Sequence, residues 1–261
     1  MTQTTEAKSA TRDGVTLRYI EAGVGDPPIV LVHGWTCNYN HWRDQVPHFA
    51  KKHRVVAVDL RGHGESDKPD EDYSIDTFAD DVAWLVNELA LTKPVVIGHS
   101  MGGAIALNLA RRYPALTSAV VIVDSPILPL PDAAKPLVEL MIAGLQSPQW
   151  EAVANNFARQ ALFDANTPPA LREEIVGSMG APQRVTYTAM KDLLSATNQS
   201  VGPIPVPSLF IRAQTASASE DQLRDAFPGM GVITVPAAHF VQMEQPAATN
   251  NIISDFLDKL E

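Results

Sequence analysis

Short apolar runs rich in valine and isoleucine alternate along this chain with longer stretches of helical period. The runs predict strands over 29–32, 54–58, 94–97, 118–123, 207–212 and 231–235. Strands separated by helices are the signature of βαβ units around a parallel sheet. Residues 15–21 alternate instead, and with Asp13-Gly14 as the turn they predict part of an antiparallel edge hairpin. Helical period predicts helices over 41–52, 75–89, 102–112, 221–227 and 246–260. In the last of these, Ile252, Ile253, Phe256, Leu257 and Leu260 share one buried face.

Between the strand ending near Val123 and the one starting near Pro207 no strand pattern occurs. That stretch opens on a proline-studded segment, Pro126 to Pro136, and closes on Gly202-Pro203-Ile204-Pro205-Val206-Pro207. Prolines and glycines at both ends punctuate structure, and the interior reads as several short amphipathic helices. The expected organisation is an α/β core formed by 1–126 and 206–261, with a helical lid, 127–205, inserted in it.

The bulk numbers narrow the function. A chain of 261 residues suits one large domain. A formal charge of −10 repels nucleic acid and anionic membrane surfaces. No window approaches the ~18 uninterrupted apolar residues of a spanning helix. Residues Met1 to Arg12 are polar, without the charged start and apolar run of a secretory signal, so a cytoplasmic location is expected. The single cysteine, Cys37, forms no internal disulfide and reads as a buried filler, and no metal-ligand spacing occurs. The expected partners are a neutral small molecule and water, with no metal and no cofactor.

Against this background one motif stands out: Gly98-His99-Ser100-Met101-Gly102, a G-x-S-x-G. It is short enough to arise by chance, and its context decides it. Val95-Val96-Ile97 gives a strand before it and Gly102 to Leu107 a small-residue helix after it, the setting of a nucleophile elbow. A sharp strand-to-helix turn strains the serine backbone and presents its hydroxyl, and the helix N-terminus favours negative charge beside it.

With these residues in place, the chain resembles the α/β-hydrolase superfamily along nearly its full length. Val30-Leu31-Val32-His33-Gly34-Trp35 is similar to that family's oxyanion loop, Asp59-Leu60-Arg61-Gly62-His63-Gly64-Glu65-Ser66 to its second loop, and Gly98 to Gly103 to its elbow. The resemblance implies an α/β-hydrolase fold, Ser100 as nucleophile, and an oxyanion hole made by the backbone N–H groups of Trp35 and Met101. His33, His63 and His99 read as shaping their loops, and His41, His48 and His53 as facing solvent from the early helix.

His239, in the loop past the strand at 231–235 and before the terminal helix, stands where this superfamily carries its base. The acid has more than one candidate. In the commonest pattern it follows the strand at 207–212, but there the chain reads Ala213-Gln214-Thr215-Ala216-Ser217-Ala218-Ser219, with Ala216 in the expected place. Two carboxylates remain. Asp124 ends the preceding strand, a placement found in some branches of the superfamily, and Glu220 lies further along the later loop. Asp124 is favoured because a strand end is the more rigid support. Glu220 and Asp221 have another use as acidic residues in the first turn of a helix, and an Asp-Ser-Pro turn is itself a natural strand terminator.

A serine nucleophile disfavours the alkyl-enzyme chemistry of dehalogenases and epoxide hydrolases. The expectation is hydrolysis of a medium-sized neutral ester or lactone, with Met141, Trp150, Phe157, Tyr187, Met190 and Phe240 as pocket residues. Four alternatives stay open: amide hydrolysis by the same triad, a cofactor-free dioxygenase, a carbon–carbon bond hydrolase of the same fold, or a non-enzymatic ligand receptor on this scaffold. A burst of acyl-enzyme without steady release separates the receptor from an esterase.

Overall fold

The computed structural model describes residues 7–195 and 201–260. The chain begins with a hairpin, β1 (Ala7–Arg12) and β2 (Val15–Ala22), whose turn residues Asp13 and Gly14 both have positive φ, 49° and 83°. Two residues with positive φ form the turn that matches the twist of paired strands, which is why Asp-Gly serves there. Six further strands follow: β3 (Ile29–Val32), β4 (Val55–Val58), β5 (Val95–His99), β6 (Ala119–Val123), β7 (Ser208–Ala213) and β8 (Gly231–Val235). They form one sheet in the order β1-β2-β4-β3-β5-β6-β7-β8, antiparallel at β1 and β2 and parallel from β4 to β8. Helices α1 (Val46–Phe49), α2 (Ile75–Glu88) and α3 (Met101–Arg112) precede β6. Between β6 and β7 lie α4 (Lys135–Gln146), α5 (Trp150–Ala161), α6 (Pro169–Ser178) and α7 (Gln183–Leu193), with no strand among the described residues of that stretch. Helices α8 (Glu220–Ala226), α9 (Val241–Glu244) and α10 (Pro246–Leu257) complete the chain.

Successive strand side chains point to opposite faces, so the buried strands build two cores. Val30, Val32, Val96 and Ile122 pack with α2 and α3 on one face. Ile29, Leu31, Ile97 and Val121 pack with α1 and α10 on the other. Each core removes large aliphatic side chains from water at roughly 1.5–3 kcal/mol apiece, the dominant favourable term in the fold. The helices begin where local chemistry allows: the Ser74 hydroxyl caps α2 through the Thr77 N–H, and Ser219 with Gln222 forms a capping box at α8.

The expected helix over 41–52 does not form as one element. Asn38 caps a 3-10 turn at Tyr39–Trp42, and α1 starts afresh with Pro47 in its first turn, because proline is tolerated there but not in a helix interior. The solvent-facing placement of two histidines is overturned as well, since His41 Nε2 pairs with Ser178 Oγ and His53 Nδ1 with the Pro27 carbonyl. His41 and His53 are 2% and 8% exposed, and His48 is partly buried with its ring edge-on to Phe49. Among the described residues no helix is long and apolar enough to cross a membrane.

Candidate active site

Ser100 sits between β5 and α3 with φ 53° and ψ −120°, a strained conformation for a residue with a side chain. Its neighbours are glycine for want of space. A Cβ on Gly98 would lie 2.0 Å from the Gly102 carbonyl oxygen, and one on Gly102 would lie 2.2 Å from that of Val32. The Ser100 N–H donates to the Val123 carbonyl at 2.9 Å, which ties the turn to the end of β6. Met101 is the first residue of α3, so its N–H is among the four without an acceptor inside the helix.

At the end of β6, Asp124 adopts φ 42° and accepts two hydrogen bonds, one on each carboxylate oxygen. The Ala213 N–H donates to Oδ1 at 2.9 Å, and His239 Nδ1 meets Oδ2 at 2.7 Å. A carboxylate can only accept here, so Nδ1 carries the proton and Nε2 is left as the basic nitrogen. His239 stands between β8 and α9. Its carbonyl accepts from His99 Nε2 at 2.9 Å, and the two rings lie 4.8 Å apart. Burial holds His99 far below the usual histidine range, and the neighbouring His239 adds to that, so His99 is a neutral donor.

Glu220 is not brought to this group. It is the first residue of α8, where it accepts the Thr234 hydroxyl and pairs with Arg224. Residues 214–219 supply no carboxylate either, and Thr215, Ala216, Ser217 and Ala218 line the cavity instead.

The loop after β3 approaches Ser100 closely, since a Cβ on Gly34 would lie 3.1 Å from Ser100 Cβ. His33 secures that loop: its Nδ1 pairs with the Gly34 carbonyl at 2.8 Å, and its Nε2 accepts the Leu60 N–H at 3.1 Å. Next to Gly34, the Trp35 indole donates to the Thr186 carbonyl at 2.8 Å and meets Phe157 edge-on at 5.8 Å. The second loop is organised by Asp59, which accepts N–H groups of Tyr39 and Glu65; burial pushes its carboxyl up to about 6. Cys37 is buried, and burial raises its thiol well above its usual range, so it stays protonated.

Ser100, Asp124 and His239 open onto one cavity of about 1000 Å³. Of the expected pocket residues, Met141, Phe157, Met190 and Phe240 line it. Trp150 and Tyr187 do not. Trp150, seven residues before Phe157 on α5 and so about 10 Å along the helix, lines a smaller cavity of about 210 Å³ that shares Trp35 and Met179 with the larger one. Tyr187 packs against the core one turn before Met190. Leu162, Met179 and Phe210 also line the site; their sequence surroundings do not distinguish them from ordinary packing residues. Among the described lining residues there is no lysine and no arginine.

Residues 27–168 match the family described as alpha/beta hydrolase fold. A 2-(acetamidomethylene)succinate hydrolase of Mesorhizobium japonicum is 29% identical over 94% of this chain and 92% of its own length. The bifunctional epoxide hydrolase 2 of Sus scrofa is 38% identical over 45% of this chain and 22% of its own length. The chain spans between 22% and 47% of six such curated relatives. A thermophilic esterase from Thermogutta terrifontis superposes with a TM-score of 0.84 over 98% of this chain and 99% of that one, at 24% identity, a likeness of fold.

Proposed function

The chain belongs to the alpha/beta hydrolase family, and within it we propose that it hydrolyses a medium-sized neutral carboxylic ester or lactone through an acyl-enzyme on Ser100. The observation that carries this reading is the 2.7 Å bond between His239 Nδ1 and Asp124 Oδ2 beside the strained serine, all three in one cavity. His239 Nε2 takes the Ser100 proton as Oγ attacks the substrate carbonyl, and Asp124 fixes the tautomer and stabilises the imidazolium. The backbone N–H groups of Trp35 and Met101 receive the oxyanion; losing one such donor typically costs about 3–4 kcal/mol. The imidazolium then protonates the leaving oxygen, and water, deprotonated by His239, releases the acid.

Several curated relatives are epoxide hydrolases, but opening an epoxide on Ser100 would leave an alkyl ether. Water has no carbonyl to attack in that intermediate, whereas a serine ester offers one. The near full-length relative acts, by its name, on a succinate. With no lysine or arginine among the described lining residues, a dianion would enter this cavity without a counter-charge, so a neutral substrate is the better fit. The esterase neighbour is consistent with that choice.

The test is Ser100→Ala assayed on p-nitrophenyl butyrate and on a panel of lactones, with circular dichroism to verify folding. Loss of kcat by roughly 10³-fold or more is expected for a removed nucleophile. Turnover at the wild-type rate by the folded variant overturns the reading.

A further inference from the structure

The loop that carries His239 is held from the helical stretch as well as from the sheet. Its own N–H donates to the Leu162 carbonyl at 3.3 Å. The adjacent Ala238 N–H donates to Glu244 Oε2 at 3.2 Å, and the same oxygen accepts the Thr167 hydroxyl at 3.0 Å. Leu162 and Thr167 both lie in the connection between α5 and α6. In that connection Phe163 stacks on Phe240, the residue after His239, with ring centres 5.6 Å apart and planes 14° apart. The second acceptor within reach of the Thr167 hydroxyl, Asp164 Oδ1, is further away at 3.3 Å.

The acyl-transfer steps have no use for Glu244, yet a half-buried carboxylate is an expensive group to keep. Burial pushes its pKa above the usual carboxylate range, and the Ala238 N–H and Thr167 O–H work against that shift. Packing alone would be served by an apolar side chain of similar size at less cost in desolvation. What the carboxylate adds is one oxygen shared between the base-bearing loop and the helical stretch.

We propose that Glu244 is a positioning residue that couples the α5–α6 connection to the base, through Oε2 held jointly by the Ala238 N–H and the Thr167 hydroxyl. The proposal rests on His239 being the base. Its consequence is that the helices over the site do more than enclose substrate: they fix the imidazole relative to Ser100. Displacement of a reacting group by about 1 Å can cost ~10²-fold in rate, so a small slackening here is visible in turnover.

The experiment compares Glu244→Ala, Glu244→Gln, Thr167→Val and the Glu244→Ala/Thr167→Val double variant on p-nitrophenyl butyrate. Glu244→Ala is expected to lower kcat by about 10- to 100-fold while KM changes by less than about 3-fold. Gln keeps an acceptor oxygen, so Glu244→Gln should recover kcat to within about 3-fold of wild type, short of a charge-assisted bond. Thr167→Val should lower kcat alone and add nothing in the Glu244→Ala background, because the two share one bond. In proton NMR the downfield His239 Nδ1 resonance should broaden in the Ala variant and stay sharp in the Gln variant. Wild-type kcat in Glu244→Ala, failure of Gln to recover it, or additive losses at Glu244 and Thr167 overturns the proposal. Should Glu244→Ala not fold, wild-type kcat in Thr167→Val overturns it equally. Wild-type kcat in His239→Ala removes the base itself, a different failure that the Glu244 variants cannot produce.

Discussion

Asp124 and His239 are 115 residues apart in the chain and meet through a 2.7 Å hydrogen bond. A strand end supplies one and a loop beyond β8 the other. The Ala213 N–H occupies the second oxygen of Asp124, so the carboxylate is clamped between β7 and the imidazole and cannot rotate freely.

That clamp separates the two candidate acids. Asp124→Asn keeps the shape but presents an amide that can select the wrong imidazole tautomer, so kcat should fall by about 10³- to 10⁴-fold. Glu220→Gln should stay within about 2-fold, since its bonds are to Thr234 and Arg224 at the protein surface. Steady-state kinetics on one ester decides between them; the reverse ranking would transfer the acid role to Glu220.

Charge discrimination follows from the cavity wall. With no lysine or arginine among the described lining residues, a substrate bearing a carboxylate should show kcat/KM about 10- to 100-fold below a neutral ester of equal length. Mono-p-nitrophenyl succinate against p-nitrophenyl valerate provides the comparison. Equal values would mean that a counter-charge is reached in some other way.

Two glycines should respond in opposite directions to alanine. At Gly98 the new Cβ would meet the Gly102 carbonyl oxygen at 2.0 Å, backbone that cannot move without opening the elbow. Gly98→Ala should therefore cost about 3 kcal/mol or more. Gly177 lies in α6 with nothing within 4 Å of its Cβ position, so Gly177→Ala should gain about 0.5–1 kcal/mol. Urea unfolding midpoints measure both.

Acid should destabilise the fold above pH 4. Burial lowers His41 and His63 to about 4 and drives His33 and His99 well below their usual value. These rings fold neutral, whereas in the unfolded chain they take up protons near pH 6.5. Their contribution is present above that pH and is lost as pH falls toward 4. Asp59, raised to about 6, works the other way, its burial being least costly once it is protonated. Asp81 and Glu244, also raised, act in the same sense as Asp59. Each tenfold loss of proton affinity on folding is worth about 1.4 kcal/mol, and four deeply buried rings stand against three carboxyls. The melting temperature should fall between pH 7 and pH 5, and His63→Gln should flatten the decline. A melting temperature that rises on acidification would show the carboxyls dominating.

Much of the fold and of the site is legible in sequence because it is local. Apolar runs mark strands wherever both faces are covered, and the elbow is a contiguous motif whose glycines are demanded by approaches of about 2 Å. Asp124 stands out as a carboxylate ending a strand once Ala216 is seen in the common place. The stretch 41–52 misleads because its helical period bridges two separate elements, the 3-10 turn that Asn38 caps and α1, which starts afresh with Pro47 in its first turn. The pocket is only half legible. Trp150 and Met190 both recur at helical spacing, and which one reaches the cavity is set by where each helix crosses the site, information that no periodicity holds. Glu244 and Thr167 are joined across 77 positions by one oxygen, and neither has a local signature.

The loop after β7 has a further consequence. Because His239 is held from the end of β6, the segment from Gln214 to Ser219 contributes no carboxylate to it, and four of its residues line the cavity instead. Its backbone is anchored, the Gln214 N–H bonding to the Val235 and Ala237 carbonyls. Exchanging Thr215 or Ser217 for larger or charged residues should therefore change what the cavity admits while leaving the Asp124–His239 bond in place.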